Sequence, residues 1–134
     1  MGTVVTASCE HCKYRQEFHL GGGLGGVSLE RYLHLLPEQE REVLLAMKQE
    51  EKINRLEIGN RLVCCETCRE DGLYQKTVFC ITDRGGTKQV FGIRCARCGG
   101  ELQSYGEAKT LEAQLPCPQC GRQFLTFQRT GLWD

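Results

Sequence analysis

The chain has no charge of one sign to spare. Its 134 residues carry 17 Lys plus Arg against 17 Asp plus Glu, a formal net charge of zero. That balance argues against a strongly basic nucleic-acid binder and against a polybasic membrane binder. No run approaches the ~18 apolar residues that a membrane-crossing helix needs. The segment Met1-Gly2-Thr3-Val4-Val5-Thr6 lacks a basic stretch followed by an apolar one. No signal peptide is therefore expected, and a cytoplasmic location is. Catalytic signatures are missing too: there is no H-E-x-x-H and no G-x-S-x-G. Pro116-Cys117-Pro118-Gln119-Cys120 matches the second half of a deaminase signature, but the chain has no His-x-Glu to supply the first. No enzyme is expected. Aromatics are 7% of the residues, so a chain this size can build only a modest core.

Cysteine is what the chain has. Eight of its ten cysteines fall into four C-x-x-C pairs: Cys9/Cys12, Cys65/Cys68, Cys95/Cys98 and Cys117/Cys120. Such a turn points two thiolates at one ion, and two turns supply the four sulfurs of a closed tetrahedral site. A redox C-x-x-C needs a βαβ setting and normally occurs once, and a disulfide framework belongs to exported chains. Four pairs predict two four-cysteine metal sites with zinc in both. Iron is the alternative metal, because Cys95-Ala96-Arg97-Cys98-Gly99 and Cys117-Pro118-Gln119-Cys120-Gly121 resemble rubredoxin knuckles, in which a glycine follows the second cysteine.

Spacing favours sequential sharing. Cys98 and Cys117 are separated by 18 residues, inside the range of four-cysteine zinc patterns. That gives Cys9, Cys12, Cys65 and Cys68 as site 1, and Cys95, Cys98, Cys117 and Cys120 as site 2. A nested scheme is the main rival: the 26 residues between Cys68 and Cys95 read as a hairpin that would bring those two pairs together. An interleaved scheme is third. Cys64 and Cys80 are left over, as the end of a strand and as a small buried apolar residue. His11, His19 and His34 are scattered and read as surface or packing residues.

Strands are expected over 3–8 and 13–20, around the first knuckle. The run Gly21-Gly22-Gly23-Leu24-Gly25-Gly26 must be a loop. It lacks the Gly-Lys-Ser/Thr ending of a phosphate loop, so it is either a connector or a place where backbone packs closely against something else. Ser28 reads as an N-cap, and Leu29, Tyr32, Leu33 and Leu36 recur at helical spacing. Pro37 ends that helix and opens a second one, with Glu38 and Glu40 in its first turn. A strand is expected from about 54 into Cys65, with a continuing helix as the alternative; further strands are expected over 73–82 and 88–94, and in 101–105, 110–115 and 123–128.

The segment from Cys95 to Leu125 resembles a zinc ribbon. The whole is similar to small bacterial proteins with four C-x-x-C motifs, a tandem zinc-ribbon arrangement. The resemblance implies an α+β fold of two small zinc-ribbon β units, with a helical insert of two short helices (about 28–51) in the first. The expected units are 1–72 and 73–134. The ribbon class implies metal and fold but hardly constrains role. The first expectation is a zinc-binding adaptor that contacts another protein. A nucleic-acid-binding ribbon is the alternative, on Arg84, Lys88, Arg94, Arg97, Arg122 and Arg129 interleaved with Phe91, Tyr105, Phe124 and Phe127. A redox or metal-handling protein is the third.

Overall fold

The computed structural model describes residues 2–22, 29–68 and 72–133. Residues 23–28, which hold most of the glycine run and the expected N-cap Ser28, lie outside the described residues.

Among the described residues, seven strands form one antiparallel sheet: β1 (Gly2–Ser8), β2 (Arg15–Gly21), β3 (Ile53–Cys64), β4 (Tyr74–Asp83), β5 (Lys88–Phe91), β6 (Gln103–Tyr105) and β7 (Thr126–Trp133). Their order is β5-β4-β3-β2-β1-β7, and β6 joins β3 off that path. This overturns the expected α+β pair of separate ribbon units with a two-helix insert. The reason lies in β1. Its residues Thr3, Val5, Thr6 and Ala7 are all buried, which a strand with one free edge and one wet face does not allow. β1 is covered on both edges, by β2 from Gly2↔Gly21 to Ser8↔Arg15 and by β7 from Gly2↔Trp133 to Ser8↔Thr126. The last strand of the chain thus returns to the first. β3 and β4 pair from Ile53↔Asp83 to Val63↔Tyr74, and β2 meets β3 at Gly21↔Asn60.

The expected first helix is two 3-10 turns, Leu29–Arg31 and Leu33–Leu35. Bonds such as Tyr32 N–H to Leu29 O (3.1 Å) and Leu36 N–H to Leu33 O (3.0 Å) hold them. The apolar spacing survives: Leu29, Leu33 and Leu36 are buried. Pro37 then caps α1 (Glu38–Gln49), with Glu38 and Glu40 in its first turn as expected. Leu44 and Met47 of α1 pack with these leucines against Ile58, Phe79, Ile81 and Phe91 of the sheet. The segment 110–115, expected as a strand, instead has its first three residues in α2 (Glu107–Glu112) and its last three outside any helix or strand. Glu107, Ala108, Lys109, Leu111 and Glu112 are all good helix formers, and the β-branched Thr110 is accommodated by donating its hydroxyl to Gly106 O at 2.7 Å.

The start of the glycine run has a packing reason. The single tryptophan, Trp133, donates its indole N–H to Leu20 O at 3.0 Å. Its ring lies against Gly22, whose φ is +81° and where a Cβ would come within 2.8 Å of the indole. His19 meets the same ring edge to face, with centroids 5.8 Å apart. The close-packing reading of this loop therefore holds at Gly22.

Candidate metal centres

The structure brings all eight paired cysteines into two groups, but not in the expected partition. Cys9, Cys12, Cys117 and Cys120 form a terminal cluster, and Cys65, Cys68, Cys95 and Cys98 form a hairpin cluster. Within each, the four sulfurs lie within 4.8 Å of one another. The sequential assignment of Cys65 and Cys68 to Cys9 and Cys12, and of Cys95 and Cys98 to Cys117 and Cys120, is corrected to the nested one. Strand pairing is the cause. β4 and β5 form the hairpin between Cys68 and Cys95, so the flanking knuckles come back together. The pairing of β7 with β1 sets Ser8 opposite Thr126 and so brings the first knuckle to the last.

Sulfur separations across the terminal cluster are 3.5 Å for Cys12–Cys117 and 3.7 Å for Cys9–Cys120. In the hairpin cluster they are 3.5 Å for Cys65–Cys98 and 3.6 Å for Cys68–Cys95. All ten cysteines are free thiols, and these gaps are far beyond an S–S bond of about 2.05 Å. A tetrahedron of sulfurs about 2.3 Å from a central ion has edges of about 3.8 Å, so the spacing fits a four-thiolate metal site. Both groups can hold a metal ion.

The third and fourth knuckles share one backbone pattern. Cys95 N–H donates to Gly100 O at 2.8 Å and Gly99 N–H to Cys95 O at 2.9 Å; Cys117 and Gly121 repeat the pattern at 2.8 and 2.9 Å, with Gln123 O as the first acceptor. The turns need a left-handed residue after the second cysteine, and Gly99 (φ +72°) and Gly121 (φ +66°) supply it. In the first knuckle Lys13 stands at that position with φ +66°, although it has a Cβ. Gly100 N–H faces the Cys98 sulfur at 3.4 Å.

The sulfurs compete for protons unequally. The Cys68 N–H facing it holds the Cys65 thiol down, to about 6. Cys95 is also lowered, chiefly by the Cys98 N–H. Burial pushes Cys117 up, but the Cys120 and Gln119 N–H groups and the Cys12 and Cys9 thiols outweigh it and bring Cys117 to about 7. Burial, reinforced by the neighbouring sulfurs, lifts Cys12 to about 12. Crowded like charges prevent four sulfurs from ionising together, and a divalent cation at their centre removes that conflict.

The clusters differ in setting. The terminal one is built into a core of Val5, Ala7, Phe18, Leu20, Leu62, Leu125 and Phe127. The hairpin one packs on Val63 and Leu102, and its Cys98 is exposed. Cys64 ends β3, as expected. Cys80 sits in β4 opposite Glu57 and is only partly buried. His11 Nε2 lies 3.5 Å from Arg122 on the outside of the terminal cluster. Of the aromatics interleaved with basic residues, Phe91 and Phe127 are buried, whereas Phe124 is 61% exposed; Arg129 is paired with Glu107 at 2.6 Å.

No family model, no curated protein and no solved structure matches the chain. The class defined by fold and site is therefore a seven-stranded antiparallel sheet carrying two four-cysteine groups able to hold metal.

Two predictions follow from the nesting and the knuckles. Cys9→Ser and Cys120→Ser should each remove one metal ion per chain and raise hydrogen exchange in β1, β2 and β7, leaving β4 and β5 protected. Cys65→Ser and Cys98→Ser should remove one ion and show the opposite pattern. Cys12 and Cys117 are 105 positions apart, against 27 for Cys68 and Cys95. Loop-closure entropy makes the terminal tie worth about 1.2 kcal/mol more. Matching exchange patterns for Cys9→Ser and Cys65→Ser would contradict the nesting, and Cys64→Ala and Cys80→Ala should leave the metal count unchanged. Separately, Lys13→Gly should stabilise the protein by about 1 kcal/mol in urea unfolding. Gly99→Ala and Gly121→Ala should cost about as much, because an added Cβ meets no atom within 4 Å and only the backbone is penalised.

Proposed function

We propose that the chain is a zinc-stabilised adaptor: two four-cysteine zinc sites hold its sheet, and its surface serves to contact another protein. The observation that carries this is the nested pair of four-sulfur groups, with separations of 3.5–3.7 Å between sulfurs of facing knuckles. Thiolate sets of this kind suit zinc, which has no geometric preference to satisfy beyond the tetrahedron. A closed site of four cysteines leaves no position for water or substrate, so the metals are structural. A structural zinc contributes an apparent ~10–16 kcal/mol in model peptides, and a whole domain is typically stable by ~5–15 kcal/mol. The metal contribution is thus comparable with the total.

Filling the sites changes the charge. Eight thiolates against two dications add −4 to a formal charge of zero. The loaded protein is acidic, and phosphate-backbone binding needs a basic surface. This favours a protein partner over nucleic acid.

The protein should purify with two zinc ions per chain, read by native mass spectrometry with elemental analysis. Acidification should release both, because protons compete for the thiolates that the metal needs. Stoichiometric iron, a single ion, or no metal would contradict the reading.

A further inference from the structure

Between the two clusters lies an open cleft of about 710 Å³. One wall carries Cys65 of the hairpin cluster and another carries Cys117 of the terminal cluster. Tyr14, Tyr105, Leu73 and Leu115 give it half-buried aromatic and aliphatic surface. Its charged lining is acidic: Glu66 contributes, and no Lys or Arg is among the described residues that line it. The closed metal sites offer no coordination position to an incoming group. What they offer is charge, about −2 from each filled centre on either side of an apolar, tyrosine-bearing groove.

We infer that this cleft docks a lysine- or arginine-bearing extended segment of a partner protein. The inference rests on the two-zinc adaptor reading, which supplies both the charge and the idea of a partner. Basic side chains fit the surface in both their parts. Their aliphatic stems can cover Leu73 and Leu115, while the cationic head stays near water and negative charge. Tyrosine faces attract cations, by about 0.5–1 kcal/mol where exposed and more where desolvated. Acidic segments and phosphate backbones meet the same field with the wrong sign.

The test uses the full-length loaded protein, with metal content measured on the same sample. Three short fluorescein-labelled peptides of equal length, alternating Arg-Leu, Gln-Leu and Glu-Leu, are titrated by anisotropy, with a labelled single-stranded oligonucleotide as the fourth probe. The Arg-Leu peptide should bind at least about tenfold tighter than the Glu-Leu peptide, with affinity falling as salt rises. Glu66→Gln and Gln119→Arg alter exposed side chains on the cleft, so the fold should survive them. Both should weaken Arg-Leu binding several-fold, the second more than the first. Two zinc ions per chain with no preference among the peptides would overturn this inference and leave the metal reading standing. Arg-Leu binding unchanged in both variants, or tighter binding of the oligonucleotide, would also overturn it. A sample without metal would remove both readings together.

Discussion

The tie between Cys9-Glu10-His11-Cys12 and Cys117-Pro118-Gln119-Cys120 is the constraint on which the rest depends. It joins knuckles near opposite ends of the sequence, so β1 and β7 can lie side by side along their length. With β7 in place, β1 is a central strand and its apolar residues are covered. Val5 then faces Phe18 across one edge and Ala7 faces Phe127 across the other. The sulfurs are themselves part of this core, since Cys9 and Cys117 are among its buried members. A metal ion held there would act on the same residues as hydrophobic burial, and loss of one would remove the setting of the other.

β3 carries that order across the sheet. Among the described strands it alone supplies a buried residue to all three apolar clusters: Ile58 under the helical insert, Leu62 in the terminal core and Val63 beside the hairpin cluster. Leu62 and Val63 are neighbours on opposite faces of the strand, as its period of two requires. The insert therefore packs on one stretch of a strand whose far end runs directly into Cys65 of the hairpin cluster. The hairpin cluster closes a local loop and the terminal cluster encloses it. Nested ties of this kind order a chain from its middle outward, because the shorter closure costs less entropy.

Much of this was legible in the residues. The four C-x-x-C pairs announce the candidate ligands by type and spacing alone, and β-branched and aromatic runs mark β1 and β4 nearly to the residue, whereas β3 was open between strand and helix. The hairpin between Cys68 and Cys95 was also readable, and it was the signal for the nested pairing. The standard interval between Cys98 and Cys117 pointed the other way. Spacing within a motif cannot report which distant strand a segment pairs with, and that non-local pairing decides the partition. The same limit explains the fold. Two ribbon units are the natural reading of the knuckles until β7 is known to return to β1. Local effects account for the rest: 3-10 turns replace a helix just before Pro37, and α2 forms where one β-branched Thr110 sits among strong helix formers. Lys13 at a left-handed position has no sequence signal at all, because the residue usual there is glycine.

The central claim is that two ions, each held by four thiolates, organise this sheet. X-ray absorption at the zinc edge of the purified protein tests it most directly. The account predicts four sulfur neighbours per zinc at about 2.3 Å, with no nitrogen or oxygen in the shell. A shell containing nitrogen or oxygen, or averaging fewer than four sulfurs, would contradict it.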